Sequence, residues 1–247
     1  MELGTTDQNA AKKFYGELFG WTFDDMPMGP DAVYSMFKLD GKVAAAGYTL
    51  MPDMLQMGIP PHWLIYIACA DVDASSKRAG ELGGTVLKRP FDVMDAGRMA
   101  VVRDPGGTVF ALWQAKRNTG VEVKGVDGAF CWADLITHDA AKASEFYSKL
   151  LGWKFETSEH DTSGYLHIKN GEQHIGGVPP AKFLPPNIPP HWQLYFQTAN
   201  CDATVEKAKA AGAKVFFGPT SMEGVGRWAV LEDPQGAAFS VFQAEHK

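Results

Sequence analysis

The sequence contains few cysteines and no long apolar segment. Its three cysteines, Cys69, Cys131 and Cys201, are widely spaced and form no CxxC pattern, so neither a disulfide framework nor a cysteine zinc site is indicated. No run approaches the ~20 apolar residues that cross a bilayer. Residues 1–15 lack the apolar core of a signal peptide. We therefore expect a reduced, cytoplasmic protein with no membrane partner.

Basic residues are also too few for a nucleic-acid-binding surface. The 23 Lys and Arg are scattered along the chain and outnumbered by 29 Asp and Glu, which gives a formal net charge of −6. Proteins that bind phosphate backbones need clustered positive charge, so nucleic acid is not expected as a partner. With 247 residues, 45% of them hydrophobic, the chain can form one large domain or two of about 120 residues.

What the sequence does contain is an internal repeat. Three blocks recur in the same order: FYGELFGW at 14–21 and FYSKLLGW at 146–153, IPPHWLIYI at 59–67 and IPPHWQLYF at 188–196, GRMAVVRDPGG at 97–107 and GRWAVLEDPQG at 226–236. The offsets are 146 − 14 = 132, 188 − 59 = 129 and 226 − 97 = 129 residues. Three blocks at a nearly constant offset indicate a duplicated module.

Each module contains two helices with start and stop signals. Aspartate is a good N-cap because its carboxylate accepts a free backbone N–H, and glycine ends helices by adopting a positive φ. Four segments are framed in this way: Asp7 to Gly20, Asp73 to Gly83, Asp139 to Gly152 and Asp202 to Gly212. Strand-like segments precede and follow each helix, with hairpin turns predicted at Asp40–Gly41 and Asn170–Gly171.

These elements predict an α+β fold of four βαβββ units, two in each module. Module 1 covers residues 1–115 and module 2 covers residues 129–247, while the polar, glycine-bearing residues 116–128 are predicted to form a linker. The first strand of module 1 is expected to be cut short by the start of the chain. The protein is expected to be either a monomer with intramolecular module pairing or a homodimer.

The pattern resembles the vicinal-oxygen-chelate superfamily, which includes glyoxalase I, extradiol dioxygenases, and fosfomycin- and bleomycin-resistance proteins. The resembling elements are the Asp-start helix ending in FYxxLxGW, the strand that opens at HW, the second Asp-start helix and the closing DPxG strand. They cover essentially the whole chain and are most similar to two-module bacterial proteins of glyoxalase-like or hydroxylase type. The resemblance implies tandem modules, each a half-open mixed β-barrel around a divalent metal.

The residues at the positions of that family's metal ligands are unsuited to a metal here. The resemblance places these positions at Trp132 on a first strand, at Leu64 and Gln193 before the second helices, and at Ala111 and Ser240 in place of a glutamate. Metals of this class need histidine nitrogen or carboxylate oxygen. The sequence therefore predicts the fold without its usual metal site, and no cofactor.

Aromatic and polar side chains are predicted to line the concave faces, or cups, of the modules. Strand alternation puts one side chain in two on the same face, and eight residues share the cup-facing parity as candidate ligand-binding residues: His62, Tyr66, Trp113, Trp132, His191, Gln193, Tyr195 and Phe242. An aromatic concave surface suits a small, largely apolar ligand. The alternative is that these side chains fill the barrel and that the histidines hydrogen-bond at its rim.

Two carboxylates and two arginines are candidate reactive or anchoring groups. Asp134 shares the face of Trp132, and Glu2 is its counterpart in module 1. A carboxylate that faces an apolar cup can act as a general base, so both are candidate catalytic residues. Asp134 could equally be paired with an arginine in a structural role. Arg98 and Arg227, in the repeated GR, are the candidate partners or the anchors of an anionic ligand group.

Three functions are compatible with these residues. The leading hypothesis is a protein that binds or transforms a small organic molecule in its aromatic cups without metal, and whether it is an enzyme stays open. The alternative is a metal-dependent lyase or oxygenase of glyoxalase or extradiol dioxygenase type, in which His62 or His191 with Glu2 or Asp134 rebuilds a site for a divalent metal. The third is a non-catalytic interaction protein whose cups are filled by side chains.

Overall fold

The computed structural model describes residues 1–29, 32–158 and 163–245. Within these ranges, four βαβββ units follow one another along the chain. The first unit contains β1 (Glu2–Thr5), α1 (Gln8–Phe19), β2 (Thr22–Pro27), β3 (Val33–Leu39) and β4 (Lys42–Thr49), followed by the short helix α2 (Pro52–Gln56). The second contains β5 (His62–Leu64), β6 (Tyr66–Ala68), α3 (Val72–Glu81), β7 (Thr85–Val93), β8 (Gly97–Arg103) and β9 (Val109–Ala115).

The second half of the chain repeats this order. The third unit contains β10 (Phe130–Ile136), α4 (Ala140–Leu151), β11 (Lys154–Glu156), β12 (Leu166–Asn170) and β13 (Gln173–Val178), followed by a 3₁₀ turn (Ala181–Phe183). The fourth contains β14 (His191–Gln197), α5 (Cys201–Ala210), β15 (Lys214–Met222), β16 (Gly226–Glu232) and β17 (Ala238–Ala244). The predicted α+β class and its βαβββ units are confirmed.

The described strands form mixed sheets. Their orders are β2-β3-β4-β1-β5, β6-β9-β8-β7 and β11-β12-β13-β10-β14-β17-β16-β15. The first strand β1 runs parallel to β4 and antiparallel to β5, which places residues of three separate chain segments side by side. No helix in the described part of the chain is long and apolar enough to cross a bilayer.

The chain divides into two compact units that interleave the sequence modules. Unit 1 comprises residues 1–64, 120–131 and 194–247, and unit 2 comprises residues 65–119 and 132–193. Each unit therefore takes most of one βαβββ segment from each half of the chain. Residues 116–129, which include the predicted linker, form neither helix nor strand.

The core of unit 1 is an aromatic cluster around Tyr15. Its fully buried hydroxyl donates to Asp233 Oδ2 at 2.9 Å and accepts from Trp63 Nε1 at 3.0 Å. Asp233 Oδ1 accepts the backbone N–H groups of residues 235–237, which closes the predicted DPQG turn. The rings of Phe19 and Trp21 pack against Tyr15 at 6.1 and 5.7 Å between centroids. All three repeated sequence blocks therefore meet at this cluster.

Unit 2 contains the equivalent cluster around Tyr147. Trp192 Nε1 donates to the Tyr147 hydroxyl at 3.2 Å, and Trp153 stacks on the Tyr147 ring at 5.8 Å. Asp104 Oδ1 closes the DPGG turn through the N–H groups of residues 106 and 108. Unlike its counterpart Asp233, Asp104 leaves Oδ2 without a hydrogen-bond partner among the described residues.

Two of the predicted helix caps are wrong by two residues. Asp7 and Asp139 cap α1 and α4 as expected. For α3 and α5, however, the cap is Asp71 in place of Asp73, and Asn200 in place of Asp202. The sequence offers two suitable side chains at each start, and the local pattern does not distinguish them. The tertiary fold decides, because Asp73 is held in an ion pair with Arg98.

Candidate functional site

A buried carboxylate on the first strand of unit 1 is bonded to a tyrosine. Glu2 on β1 is 9% exposed, and Tyr34 on β3 donates its hydroxyl to Glu2 Oε2 at 2.8 Å. Tyr48 on β4 lies on the same face, because it pairs with Tyr34 on one side and with Gly4 on the other. Hydrophobic and aromatic surroundings thus hold a carboxylate that the sequence marked as a candidate catalytic group.

Unit 2 repeats the arrangement with different side chains. Asp134 on β10 is 6% exposed, and Tyr165 donates its hydroxyl to Asp134 Oδ1 at 2.5 Å. The indole N–H of Trp132 lies 2.8 Å from the Tyr165 hydroxyl and 3.1 Å from Asp134 Oδ1. The predicted residues Trp132 and Asp134 are therefore brought together, with a tyrosine between them.

The backbone beneath Tyr165 explains how its hydroxyl reaches the shorter carboxylate. Asp134 pairs with Gly177 on β13, and a Cβ atom at Gly177 would overlap the Tyr165 hydroxyl and ring. Tyr165 therefore crosses directly over a glycine. In unit 1 the residue paired with Glu2 is Ala46, which carries a Cβ, and the carboxylate there is one methylene longer.

The tyrosines of both pairs keep their protons. Burial, and then the negative charge of Glu2, raises the pKa of Tyr34 well above its usual range, and the pKa of Tyr48 is raised by the same two causes. Burial, and then the charge of Asp134, raises the pKa of Tyr165 likewise. These hydroxyls therefore act as hydrogen-bond donors at any physiological pH.

The two histidines of the repeated PPHW make the same contact with the main chain but differ in their contacts with other side chains. His62 Nδ1 lies 2.8 Å from the Pro60 carbonyl oxygen, and His191 Nδ1 lies 2.8 Å from that of Pro189. His191 Nε2 also lies 3.0 Å from Gln193 Oε1, so both of its ring nitrogens are engaged. The structure therefore brings together the predicted residues His191 and Gln193.

Two further histidines, which the sequence analysis did not select, lie on the same sheet of unit 2. His167 on β12 packs against the Tyr165 ring at 5.1 Å and the His174 ring at 5.2 Å between centroids. His174 Nε2 lies 3.5 Å from Glu156 Oε1, which also accepts Lys169 Nζ at 3.3 Å. This group is half-exposed and contains both acidic and basic side chains.

The predicted aromatic residues of the closing strands cover glycines or neighbouring rings. In unit 2, Tyr66 packs edge-on against Trp113 at 5.9 Å between centroids, and a Cβ at Gly97 would overlap the Trp113 ring. In unit 1, the Phe242 ring lies over Gly226, at 3.0 Å from where a Cβ would stand. The Tyr195 backbone in that unit pairs with Ser240, the residue that replaces a family ligand.

The two predicted arginine anchors are held elsewhere. Arg98 binds Asp73 through Nε and Nη2 at 2.6 and 3.0 Å, and Arg227 binds Asp202 through Nε and Nη2, both at 2.7 Å. Such bidentate pairs orient the guanidinium rigidly. Each arginine therefore anchors the first turn of a helix, α3 or α5, and its partner is Asp73 or Asp202 in place of the expected Asp134.

A polar cavity in unit 1 does not coincide with these aromatic faces. It measures about 330 Å³ and lies at the start of α1, lined by Thr6, Asp7, Gln8, Asn9, Lys12, Asp25, Val33 and Thr49. An ion pair of 2.6 Å between Lys12 and Asp25 crosses it. None of the predicted site residues lines this polar cavity.

The tyrosines missed by the sequence analysis had a detectable signal. Tyr34 and Tyr165 are separated by 165 − 34 = 131 residues, an offset between those of the repeated blocks. Each precedes a predicted hairpin turn and follows a carboxylate at a similar distance along the chain. His167 gave no such signal, because Met36 stands at the equivalent position of module 1.

The family model of the Glyoxalase/Bleomycin resistance protein/Dioxygenase superfamily matches residues 1–112 and 130–241. The chain belongs to this superfamily. Two matches of similar length confirm the expected tandem arrangement of glyoxalase-like modules. Together they span most of the chain and leave out the stretch between residues 112 and 130.

Curated relatives within the superfamily are similar along nearly their full length. "Putative glyoxylase CFP32" of Mycobacterium tuberculosis is 42% identical over 247 residues, which cover 98% of this chain and 93% of the relative. "Anthracycline biosynthesis protein DnrV" of Streptomyces peucetius is 36% identical over 256 residues, covering 98% of this chain and 91% of the relative.

Solved structures of the superfamily share the fold at low identity. The Mn(II)-bound glyoxalase from Novosphingobium aromaticivorans matches with a TM-score of 0.64 and 16% identity, covering 98% of this chain and 80% of that chain. The 2,3-dioxygenase LapB from Pseudomonas sp. KL28 matches with a TM-score of 0.63 and 14% identity, covering 99% of this chain and 91% of that chain.

The donor set at the superfamily's metal positions does not fit a divalent metal. Leu64 and Ala111 have no donor atom, and Trp132 offers an N–H that is already hydrogen-bonded. Gln193 and Ser240 supply only neutral oxygens, whereas metals of this class bind imidazole nitrogen and carboxylate oxygen. In the described part of the chain, no group of three or more His, Cys, Asp or Glu is arranged to hold a metal ion.

Proposed function

We propose that this protein binds a small organic molecule with a flat, largely apolar body and a hydroxyl or carbonyl group, through direct contacts with its side chains and without a metal. The observation that carries the proposal is the carboxylate–tyrosine pair found in both units. Buried polar groups of this kind orient a ligand within an otherwise apolar surface. The names of the relatives, a glyoxylase and an anthracycline biosynthesis protein, also point to small organic molecules.

The two members of each pair have complementary roles in this proposal. Tyr34 and Tyr165 stay protonated, so a carbonyl oxygen of the ligand can compete for the hydroxyl proton. Glu2 and Asp134 accept hydrogen bonds and can orient a ligand hydroxyl. We assign these two carboxylates to orientation because each already accepts a tyrosine hydroxyl.

The aromatic neighbours supply the apolar part of binding. Trp132 lies beside the pair in unit 2, and Tyr66 and Trp113 pack together in the same unit. Rings of this size contribute most of the contact area in sites for flat ligands, because they combine a large apolar face with little conformational freedom. The same contribution is assigned to Tyr195 and Phe242 in unit 1.

Thermal unfolding with 2-naphthol as the probe tests this proposal. We expect 2-naphthol to raise the Tm of the wild-type protein and of the Phe216→Ala control, whose aromatic ring is exposed on β15. Tyr165→Phe and Tyr66→Ala should each reduce the shift, and Tyr34→Phe and Tyr195→Ala should do so if unit 1 binds as well. A shift that all four variants retain in full would contradict the proposed site.

Metal independence is tested on the same samples. Elemental analysis and treatment with EDTA are expected to leave the 2-naphthol shift unchanged. If EDTA abolishes the shift, and His62→Ala or His191→Ala removes a stoichiometric metal, the metal-free proposal is wrong and the site is one for a divalent metal.

A further inference from the structure

A row of side chains crosses four strands of unit 2 at the level of Asp134. It consists of Glu156 on β11, His167 on β12, Gly177 on β13 and Asp134 on β10, each paired with the next. The equivalent row of module 1 consists of Asp24, Met36, Ala46 and Glu2. Both rows begin and end in carboxylates. Only the module 2 row carries an imidazole between them.

The surroundings of His167 are aromatic and leave its ring nitrogens available. The rings of Tyr165, His174 and Trp132 lie 5.1, 5.2 and 6.4 Å from it between centroids. Neither ring nitrogen of His167 hydrogen-bonds to another described residue. A half-buried imidazole with free nitrogens, held in place by rings, is suited to hydrogen-bonding a ligand.

We propose that His167 accepts the proton of a phenolic or enolic hydroxyl on the ligand bound in unit 2. The O–H bond of the ligand breaks, its electron pair stays on the ligand oxygen, and an N–H bond forms on the imidazole. Imidazole is the side chain best able to exchange a proton near neutral pH. The product is an imidazolium beside a phenolate or enolate, and the proton returns when the ligand leaves.

Two carboxylates lie in the same row as His167. Glu156 stands directly opposite His167 on the neighbouring strand, and Asp134 lies at the far end of the row, beyond Gly177. Lys169 and His174 share Glu156 and partly offset its charge.

Module 1 provides the natural comparison, since Met36 occupies the equivalent position and cannot take a proton. Proton transfer is therefore assigned to module 2 alone. This assignment rests on the proposed ligand-binding function, and a probe with an ionisable hydroxyl together with its methyl ether distinguishes failure of proton transfer from failure of binding.

The test uses 4-nitrophenol and 4-nitroanisole with the full-length protein. Absorbance titration reports the ionised fraction of bound 4-nitrophenol, and 4-nitroanisole reports binding of the same ring without a proton. We expect the wild-type protein to raise the ionisation constant of bound 4-nitrophenol about tenfold, which is one pKa unit. His167→Met should abolish that increase while 4-nitroanisole binding persists, which also shows that the variant is folded.

Two further variants test whether the effect requires an imidazole at position 167. His167→Gln keeps a polar side chain that cannot take a proton, so it should behave like His167→Met. His138→Met removes an exposed histidine on the loop before α4 and should retain the full increase. An increase that survives in both His167 variants, or none in the wild type despite 4-nitroanisole binding, overturns the inference alone. Failure of both probes to bind overturns the proposed function as well.

Discussion

At the scale of single residues, the two carboxylate–tyrosine pairs show how the repeat preserves a contact while its members change. Glu2 reaches its tyrosine across Ala46, whereas the shorter Asp134 is reached by a tyrosine that crosses Gly177. The length of the carboxylate and the size of the intervening residue therefore change together. A single substitution at either position breaks this match.

The cysteines provide a prediction at the same scale. Burial raises the pKa of the Cys131 thiol to about 12 from its ordinary value of 9.0, and burial and the charge of Asp202 raise that of Cys201 to about 11. At pH 8 the thiolate fraction of Cys131 is about a thousandfold lower in the folded protein than in the unfolded chain. We expect iodoacetamide to leave Cys131 unmodified in buffer and to modify it in urea, as read by peptide mass spectrometry.

The sign of the pH dependence follows from the same shift. The unfolded thiol of Cys131 loses its proton near pH 9 and the folded thiol near pH 12. Its contribution to stability is therefore complete below pH 9 and decreases as the pH rises from 9 to 12. Rapid alkylation of Cys131 in the folded protein at pH 8 would show that this thiol is not protected by burial.

At the scale of secondary-structure elements, the sequence predicted the helices better than their first residues. Glycine and aspartate signals gave the ends of α1 and α4, because one capping side chain stood at each start. At α3 and α5 two candidate capping residues lie two positions apart, and the one nearer the N-terminus caps the helix. The second candidate, an aspartate in the first turn of the helix, instead binds an arginine on a following strand, a contact that no local sequence pattern shows.

Gly177 on β13 yields a prediction at this scale. We expect Gly177→Ala to lower the free energy of unfolding by about 1–3 kcal/mol, because the new Cβ displaces Tyr165 and leaves the buried carboxylate of Asp134 without that donor. Urea denaturation measures the change. The variant should also weaken binding of 2-naphthol.

Gly80 on α3 supplies the matched control. No atom lies within 4 Å of where its Cβ would stand, and its backbone is helical. Gly80→Ala is therefore expected to raise stability by about 0.5–1 kcal/mol. Equal effects of the two substitutions would mean that Tyr165 does not depend on close approach to the Gly177 backbone.

At the scale of the whole molecule, the repeated blocks prove to be structural. FYxxLxGW, HW and DPxG supply the tyrosine, tryptophan and aspartate of the buried clusters around Tyr15 and Tyr147. In each compact unit the tyrosine and the aspartate come from opposite halves of the chain. The repeat is visible in the sequence because these residues build the core of each unit. The carboxylates and tyrosines of the candidate site lie outside the three repeated blocks.

The two clusters differ in one hydrogen bond, which gives a whole-molecule prediction. Tyr15→Phe leaves both a buried oxygen of Asp233 and the indole N–H of Trp63 unpaired, so we expect a loss of about 2–4 kcal/mol in the free energy of unfolding. Tyr147→Phe removes the hydrogen bond from Trp192 and a weaker interaction with Asp104, whose Oδ2 accepts no well-formed hydrogen bond, and should cost about 1–2 kcal/mol.

Denaturation curves of the two variants under identical conditions decide this comparison. A larger loss for Tyr147→Phe than for Tyr15→Phe would contradict the assignment of the second hydrogen bond to the Tyr15 cluster alone. Because both substitutions remove the same atom from the same repeated motif, differences in hydrophobic burial largely cancel.

The tandem repeat, the α+β class, the βαβββ order and the likeness to the superfamily can all be read from the amino-acid sequence. These features depend on capping, turns and periodicity, which act between residues close in the chain and so leave local patterns. The sequence also singled out Glu2 and Asp134, since strand alternation gives the face of a side chain. Their hydrogen bonds with Tyr34 and Tyr165, the position of His167 in the row of Asp134 and the ion pairs of the arginines with helix starts appear only in the folded chain. Those contacts join strands far apart in sequence, and their partners are chosen by register and by the space that a glycine leaves open.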